Sequence, residues 1–274
     1  MYEILHKRLL NDQVTLMEIN APYIARKAEA GQFIILRVRE GGERIPLTIA
    51  GYEREKGTIT IIFQAVGKTT DILAKLNEGD AILDVVGPLG VPTHLDGYKN
   101  VAVLGGGLGT AIAYPQVKKL VDLGANVHAI AGFRSKDLII LEDELKDVCG
   151  NVTIATDDGS NGNKGFVTDV LKRIMSETSL DLVIAIGPLP MMRAVAELTR
   201  DMGIKTIVSM NPIMIDGTGM CGGCRVTVGG ETKFACVDGP DFDGHLVDFN
   251  EAIRRNSIYR DEEHACRMEA MTHE

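Results

Sequence analysis

The fold is decided by residues 101–110, which read VAVLGGGLGT. Val101–Leu104 is a short apolar run of the kind that forms a buried strand, and it breaks into the glycine-rich turn Gly105–Gly109. A segment of helical periodicity follows and ends at Leu123-Gly124, where Pro115 fits only a first turn or a kink. Strand, glycine turn and helix in this order predict the first unit of an α/β sheet.

The same alternation continues along the chain. Apolar runs bounded by turns predict strands at Asn126–Ala131, Val152–Thr156, Leu182–Ile186 and Lys205–Met210. Apolar-periodic segments between them predict helices at Leu138–Val148, Val167–Glu177 and Met191–Met202. Strands and helices that alternate with short links predict a doubly wound parallel sheet over residues 98–210.

The flanking segments differ in composition from this sheet. In residues 1–97, β-branched-rich runs predict strands at Phe33–Val38, Thr58–Gln64 and Ala81–Val86, the spacing of a small barrel or sandwich. One helix is expected at Thr70–Leu76 and a turn at Gly87–Gly90. Residues 211–248 are rich in Gly and Cys and too few to build a core without a staple. Residues 249–274 form a charged tail with one expected helix.

Composition excludes several classes of protein. Of the 274 residues, 45% are hydrophobic and 24% are charged, which is ordinary globular usage. Lys+Arg 29 against Asp+Glu 38 gives a net charge of −9, which argues against a nucleic-acid partner. The apolar runs are too short to span a membrane, and Met1–Leu10 lacks the pattern of a signal peptide. We therefore expect a cytoplasmic protein without a membrane or nucleic-acid partner.

Three cysteines lie close together near the C-terminus. Asp216, Cys221, Cys224 and Cys236 match the C-x4-C-x2-C pattern of plant-type [2Fe–2S] loops with a distant fourth ligand, except that Asp216 takes the first position. The sequence therefore predicts a [2Fe–2S] cluster held by these four residues, although Asp238 or a water could complete the set. The alternatives are a structural zinc site and three reduced core cysteines. Cys149 and Cys266 are expected to be bystanders.

Two further segments have the features of phosphate-binding loops. The turn Gly105–Gly109 lets backbone amides approach a pyrophosphate at a helix N-terminus, although glycines there also serve packing. In the β-rich segment, Arg44–Ile49 supplies an arginine and a hydroxyl, and Val66–Thr70 supplies a small-residue loop before a short helix. These groups suit the pyrophosphate and ring of a flavin, whereas a barrel strand with a solvated arginine is the alternative.

Taken together, the chain resembles the ferredoxin–NADP reductase superfamily, in the branch with a C-terminal [2Fe–2S] domain. The resemblance covers about residues 1–245 and rests on RIPLTI, GKTT, GPLG, GGGLGT, GFRSK, TDDG, GPLPMM and the cysteine loop, all in family order. It implies a β-barrel FAD domain over residues 1–97 and a doubly wound α/β NAD domain over residues 98–210. A small [2Fe–2S] domain over residues 211–248 and the tail over residues 249–274 complete the chain.

The resemblance also assigns binding residues. FAD contacts are implied for Arg44, Pro46, Leu47, Thr48, Gly67, Lys68, Thr69 and Thr70. Contacts to the nicotinamide dinucleotide are implied for Gly105, Gly106, Gly107, Gly109, Thr110, Gly132, Arg134, Gly187 and Pro188. The family's hydride transfer takes place at the flavin, so no side chain of the protein is expected to act as acid or base.

The carboxylates in Thr156-Asp157-Asp158-Gly159 bear on the choice of dinucleotide. NADP-using relatives present Ser and Arg to the 2′-phosphate at this position, whereas Asp157 and Asp158 would accept hydrogen bonds from a free ribose hydroxyl and repel a phosphate. We therefore predict NAD(H). Arg134 and Lys164 leave NADP open, and the alternative for the two aspartates is a polar turn.

Asp216 and the charged tail resemble the small subunits of electron-bifurcating NADH-dependent reduced ferredoxin:NADP oxidoreductases, also labelled sulfide dehydrogenase small subunits. The resemblance implies a heterodimer with a larger iron–sulfur flavoprotein. The alternatives are the electron-transfer subunit of NAD-dependent dihydroorotate dehydrogenase and a stand-alone flavin reductase with a structural zinc site. A noncatalytic subunit that carries the cluster is a further alternative.

Overall fold

The N-terminal part of the chain is an antiparallel sheet that nearly closes into a barrel. The computed structural model describes residues 1–259, 261–263 and 265. The strands are β1 (Tyr2–Leu9), β2 (Val14–Asn20), β3 (Phe33–Arg37), β4 (Arg44–Glu53), β5 (Thr58–Gln64), β6 (Ala81–Ile82) and β7 (Asp84–Leu89). Their order in the sheet is β6-β1-β2-β5-β4-β3-β7. The two end strands, β6 and β7, are separated in the chain by Leu83 alone, so the chain itself closes the barrel.

Branched side chains fill the barrel because alternate strand residues point inward. Ile4, Met17, Ile34 and Phe63 are among the fully buried members of this core. Two short helices, α1 (Pro22–Ala25) and α2 (Lys68–Lys75), connect the strands. The barrel was predicted, but the single strand expected at Ala81–Val86 is in fact β6 and β7. The prediction of a turn at Gly87–Gly90 was wrong about where the turn begins, since β7 continues to Leu89.

The second part is a parallel sheet with helices on both faces. Its strands are β8 (Asn100–Gly106), β9 (Asn126–Phe133), β10 (Asn151–Thr156), β11 (Leu182–Ile186) and β12 (Lys205–Ser209). Its helices are α3 (Gly109–Asp122), α4 (Glu142–Val148), α5 (Val167–Glu177) and α6 (Leu189–Arg200). The strand order β10-β9-β8-β11-β12 reverses between β8 and β11. The predicted doubly wound fold is therefore confirmed.

The core explains why these strands are apolar throughout. All five residues of β11 are buried, because α3 and α4 share a core with one face of the sheet and α5 and α6 with the other. The helix expected from Leu138 begins at Glu142, since Leu141 has a left-handed φ of 57° that interrupts a helix. Pro115 lies inside α3, past its first turn, and the helix continues to Asp122.

The described residues of the C-terminal part pack into the core of the α/β sheet. A hairpin, β13 (Arg225–Val228) and β14 (Glu231–Phe234), is followed by β15 (Asp241–Asp243) and helix α7 (Phe249–Asn256). β15 pairs antiparallel with β12 and so becomes the sixth strand of the α/β sheet. Cys224 and Cys236 belong to one buried cluster with Phe33 of the barrel. The expected tail helix is α7, whereas Cys266 lies outside the described residues.

No helix in the described part of the chain is both long and apolar enough to cross a membrane.

Candidate functional site

The first half of β4 presents a free backbone edge on the barrel. β3 pairs with β4 from Arg44 to Thr48, whereas β5 pairs with β4 only over Ile49–Glu53. Pro46 has no amide hydrogen to offer a neighbouring strand, which is tolerated at an unpaired edge. Arg44 is exposed, and Pro46, Leu47 and Thr48 are half-buried. Backbone and side-chain groups along this edge can therefore contact a ligand laid against the barrel.

The loop before α2 lies beside this edge. Thr69 Oγ1 donates a hydrogen bond of 2.8 Å to Glu43, the residue before β4. Thr70 Oγ1 accepts from the amides of Val66 and Gly67 at 3.0 Å each, which fixes the loop. A side chain at Gly67 would meet nothing within 4 Å, so the N-terminus of α2 is open. The structure thus brings the predicted flavin residues Arg44–Thr48 and Gly67–Thr70 together, with a helix N-terminus suited to phosphate.

The glycine turn after β8 packs against the turn after β11. A Cβ at Gly106 would lie 2.5 Å from Met191 Sδ and 3.0 Å from Pro188 Cδ, and one at Gly109 would lie 2.3 Å from Ile186 O. Packing therefore requires both glycines, which is the alternative to phosphate binding that the sequence left open for this turn. Gly105 is tight for the same reason, since its Cβ would lie 2.5 Å from Thr110 Cα.

Two groups in this turn still point to a ligand. Gly107 has a φ of 55°, and a side chain there would meet nothing within 4 Å, so the turn is open at this residue. Thr110 Oγ1 is buried and has no hydrogen-bond partner among the described residues. Ligands of doubly wound sheets bind at the carboxyl ends of the strands where the strand order reverses, which is where these turns lie. The residues present fit a dinucleotide there.

The predicted ribose residues lie at the ends of the next two strands. Asp157 N–H donates to Phe133 O at 2.9 Å, and Asp158 N–H to Arg134 O at 3.3 Å, so the ends of β9 and β10 are tied together. The amide and hydroxyl of Ser160 donate to the Asp158 carboxylate at 2.9 and 2.7 Å and hold its pKa below the usual value. Asp158 therefore shapes the turn itself.

Asp157 differs from its neighbour in this respect. Its side chain is exposed, and within the described residues no hydrogen bond to its carboxylate is found. Gly132, by contrast, serves packing, because a Cβ there would lie 2.5 Å from Val167 Cγ1. Of the two aspartates predicted at the ribose, Asp157 is thus the one whose carboxylate is available to a ligand.

The four predicted cluster ligands form two pairs. The Cys221 thiol lies 3.4 Å from Asp216 Oδ1, and the Cys224 and Cys236 sulfurs are 3.2 Å apart. Cys221 is exposed and Asp216 is half-buried, whereas Cys224 and Cys236 are both buried. Among the described residues, no three Cys, His, Asp or Glu side chains converge as ligands of one ion. Two pairs suit a [2Fe–2S] centre, in which each of two irons takes two protein ligands, better than a single zinc ion.

Asp216 also organises the loop around it. Its carboxylate accepts hydrogen bonds of 3.1 Å from the amides of Thr218, Met220 and Cys221. Hydrogen bonds from Thr218, its amide foremost, and from Cys221 lower the pKa of Asp216 to about 2. An ionised carboxylate oxygen keeps lone pairs that can bind iron. Asp238, the other candidate, accepts a hydrogen bond of 2.7 Å from the Phe234 amide.

The buried pair, Cys224 and Cys236, is chemically different from the pair formed by Asp216 and Cys221. Burial and the adjacent Cys224 thiol raise the pKa of Cys236 to about 12, although the Gly219 amide lowers it. The Cys236 sulfur is therefore protonated in the protein alone, and a metal must displace that proton to bind. Soft sulfur donors enclosed by a glycine-rich loop fit an iron–sulfur centre.

Sequence reasoning missed a polar contact between the three parts of the chain. Asp241 in β15 accepts hydrogen bonds from Thr93 Oγ1 at 2.5 Å and Gln116 Nε2 at 3.2 Å. The first donor follows the barrel and the second lies in α3. Asp241 Oδ1 is buried without a partner among the described residues, and burial raises the pKa of the carboxyl. These residues are far apart in sequence and form no motif, so no signal could have joined them.

Comparison with known proteins agrees with this architecture. A model of the iron-sulfur cluster binding domain of dihydroorotate dehydrogenase B matches residues 211–248, which contain both ligand pairs. The chain is 46% identical to the dihydroorotate dehydrogenase B (NAD(+)), electron transfer subunit homolog of Thermotoga maritima, over 95% of this chain and 92% of that protein. It is 33% identical to the corresponding electron transfer subunit of Fusobacterium nucleatum, over 82% and 88% of the two chains.

A solved structure is similar along the whole length. One chain of the NADH-dependent reduced ferredoxin-NADP oxidoreductase, a structure described for its insight into flavin-based electron bifurcation, has a TM-score of 0.93 and 43% identity. The match covers 99% of this chain and 98% of that chain. The predicted ferredoxin reductase-like fold with a C-terminal iron–sulfur domain is thereby confirmed. The chain belongs to the family of dihydroorotate dehydrogenase B electron transfer subunits and their homologues.

Proposed function

We propose that this chain is the small subunit of a cytoplasmic, electron-bifurcating NADH-dependent reduced ferredoxin:NADP oxidoreductase. The observation that carries the proposal is the full-length similarity to a chain of such an enzyme, at 43% identity and a TM-score of 0.93. Asp216 in place of the first cysteine supports the same assignment, because this substitution is the feature in which the sequence resembles the small subunits of the bifurcating enzymes.

FAD, NAD(H) and a [2Fe–2S] cluster are the cofactors of this subunit. The free edge of β4 with Arg44–Thr48, and the start of α2 with Gly67–Thr70, would hold FAD. The turns around Gly107 and Gly187-Pro188 would hold NAD(H), with Asp157 at the ribose. When bound, FAD exchanges a hydride with NAD(H) and single electrons with the cluster, and so connects two-electron and one-electron carriers. The protein's own residues bind and orient these groups.

The exposed Cys221 suggests where electrons leave the subunit. Met220 is 87% exposed beside Cys221, and Ile215 and Val237 add exposed apolar surface to the same loop region. Apolar side chains around an exposed ligand suit a protein partner better than water. We propose that this surface contacts the larger iron–sulfur flavoprotein subunit.

A second function is favoured by the curated relatives. The relatives from Thermotoga maritima and Fusobacterium nucleatum are named for dihydroorotate dehydrogenase B, as is the matching domain model. In that function the same subunit would transfer electrons between NAD and a dihydroorotate-oxidising partner. The cofactors would be the same, so only the partner distinguishes the two functions.

Cofactor analysis tests the common part of both functions. Anaerobically purified protein should contain one FAD, two irons and two acid-labile sulfides per chain, the composition of a [2Fe–2S] flavoprotein. Zinc without sulfide would overturn both functions and leave a flavin reductase with a structural zinc site. Iron and sulfide without flavin would leave a noncatalytic subunit that carries the cluster.

Purification with the native partner separates the two functions. A tagged chain should recover a larger iron–sulfur flavoprotein, and the complex should reduce ferredoxin with NADPH only when NAD⁺ is present as the second acceptor. Recovery of a dihydroorotate dehydrogenase, with dihydroorotate-dependent reduction of NAD⁺, would overturn the bifurcating function and establish the second.

A further inference from the structure

An arginine of the tail helix reaches the cysteine loop. Arg255 in α7 donates from Nη2 to the backbone carbonyl of Gly223 at 3.1 Å. Gly223 lies between Cys221 and Cys224, and its own amide donates to the Cys221 sulfur at 3.4 Å. One residue of the loop therefore connects the guanidinium to a ligand sulfur.

The charge of Arg255 is not neutralised locally. Among the described residues, no carboxylate forms an ion pair with it. Its Nε is buried and has no hydrogen-bond partner within the residues that the structure describes. Holding a cation partly buried and unpaired costs free energy, so a compensating negative charge nearby would stabilise it.

The ligand set supplies that negative charge. A cluster bound by one carboxylate and three thiolates is surrounded by four anionic groups, and reduction adds one more negative charge. A fixed cation in a partly desolvated position stabilises the reduced form more than the oxidised form. The hydrogen bond to Gly223 also fixes the turn that carries two of the ligands.

We propose that Arg255 is a positioning residue for the [2Fe–2S] cluster, which holds the turn between Cys221 and Cys224 and raises the midpoint potential of the cluster. The inference rests on the cluster of the proposed function but not on the identity of the partner subunit. It gives the tail helix a role in electron transfer that its sequence does not reveal.

The matched control is the neighbouring residue of the same helix. Arg254 is exposed, whereas Arg255 is half-buried against the loop. Arg254→Gln and Arg255→Gln remove the same charge from adjacent positions, so only the contact with the loop differs. Arg255→Lys keeps the charge but replaces the planar guanidinium with a single ammonium group.

The experiment is a reductive titration of the purified subunit followed by the electron paramagnetic resonance signal of the reduced cluster. Iron and sulfide per chain are measured on every variant. Arg255→Gln should lower the midpoint potential of the cluster, and Arg254→Gln should lower it much less. Arg255→Lys should keep the midpoint potential close to that of the wild type. Equal shifts for the two glutamine variants would overturn the inference.

A failure to load the cluster is also informative. If Arg255→Gln loses iron, two other variants at this position test the inference. Iron content and midpoint potential close to wild type in Arg255→Lys support it. A wild-type midpoint potential in a neutral variant that does load the cluster, such as Arg255→Met, overturns it. If the wild-type subunit itself holds no iron and sulfide, the proposed function fails instead, so the two failures are distinguishable.

Discussion

At the scale of single residues, the loop aspartate has two separable roles. Asp216 stands where related loops carry a cysteine, and it also accepts hydrogen bonds from the amides of Thr218, Met220 and Cys221. A cysteine could replace the ligand but not the hydrogen bonds, because a thiolate is a weaker acceptor than a carboxylate. The spacing of the cysteines was readable from the sequence, whereas the anchoring of the loop was not.

We expect Asp216→Ala to weaken cluster retention and Asp216→Cys to keep the cluster with an altered spectrum. Loss of a ligand or of a group that orients ligands typically costs about 10-fold or more in metal affinity. The measurement is iron and sulfide per chain after exposure to a chelator, with Thr218→Val as a control that removes only a hydroxyl contact. Full retention and an unchanged spectrum in Asp216→Ala would show that Asp216 is not a ligand.

The exposed Asp157 carboxylate should determine the preference for NADH. Asp157→Asn removes a charge that would face a 2′-phosphate, and charges about 4 Å apart in water interact by about 1 kcal/mol. We expect the ratio of kcat/KM for NADPH to that for NADH to rise about fivefold, measured with an artificial electron acceptor. Asp158→Asn, whose carboxylate is bound by Ser160, should change the ratio less. An equal effect of both variants would contradict this role.

At the scale of helices and strands, periodicity was informative where both faces of an element are buried. The strands of the α/β sheet were predicted because β11 and its neighbours are continuous apolar runs. β1 was missed because seven of its eight residues are partly or fully exposed, leaving little pattern to detect. β13–β15 were missed because they are only three or four residues long, and β15 pairs with β12, which is distant in sequence.

Helix boundaries were harder to predict than the helices themselves. α4 begins four residues after the predicted start because Leu141 adopts a left-handed conformation, which the residue type disfavours. Of the apolar residues before it, Leu138 ends a short 3₁₀ turn at Lys136–Leu138, and Ile140 and Leu141 are buried in the core without forming a helix. Tertiary packing imposed this irregular start, and periodicity carries no information on it.

The glycine at the start of α3 should be required for stability. A Cβ at Gly109 would lie 2.3 Å from the carbonyl oxygen of Ile186 in β11, a backbone atom that cannot easily move. We expect Gly109→Ala to lower the free energy of unfolding by about 3 kcal/mol, as overpacking does. Gly150→Ala, where a side chain would meet nothing within 4 Å, should change it by less than about 0.5 kcal/mol. Denaturant titration of both variants is the measurement, and equal stabilities would refute the packing argument.

At the scale of the whole molecule, the three parts of the chain meet around one buried carboxyl. Asp241 is only partly buried as a residue, but its carboxyl is enclosed between Thr93 and Gln116. Desolvation raises its pKa despite these hydrogen bonds, so the folded protein holds the proton at a pH at which the unfolded chain has released it. Motifs locate each part of the molecule, but contacts between parts depend on the assembled fold.

The sign of the resulting pH dependence follows from linkage. An unfolded aspartate has a pKa of about 3.9, so between that pH and the raised folded pKa the folded state binds more protons and its stability falls as pH rises. Below about pH 4 both states are protonated and the penalty vanishes. Asp241→Asn cannot ionise and avoids the penalty. Its stability gain over wild type should therefore increase as the pH rises above about 4, by at most about 1.4 kcal/mol per pH unit, and should level off above the raised pKa of the folded state.

Thermal unfolding at several pH values measures this gain. Asp201→Asn, at the exposed end of α6, is the control and should show no such trend. A gain that is constant with pH, or that falls as pH rises, would contradict a raised pKa of Asp241 in the folded protein.

The pairing of β15 with β12 limits how this subunit can be recombined with others. Because a strand that follows the cysteine loop completes the neighbouring α/β sheet, a chimera joined at residue 211 would separate β15 from β12, the strand with which it pairs. Moving the cysteine loop and β15 onto another reductase would leave β12 of this chain with an open edge. In the recipient, the Asp241 carboxylate would lack its hydrogen-bond donors Thr93 and Gln116. Junctions that exchange β12, α6 and β15 together should tolerate recombination better. The cluster segment is contiguous in sequence, yet it is not an interchangeable part.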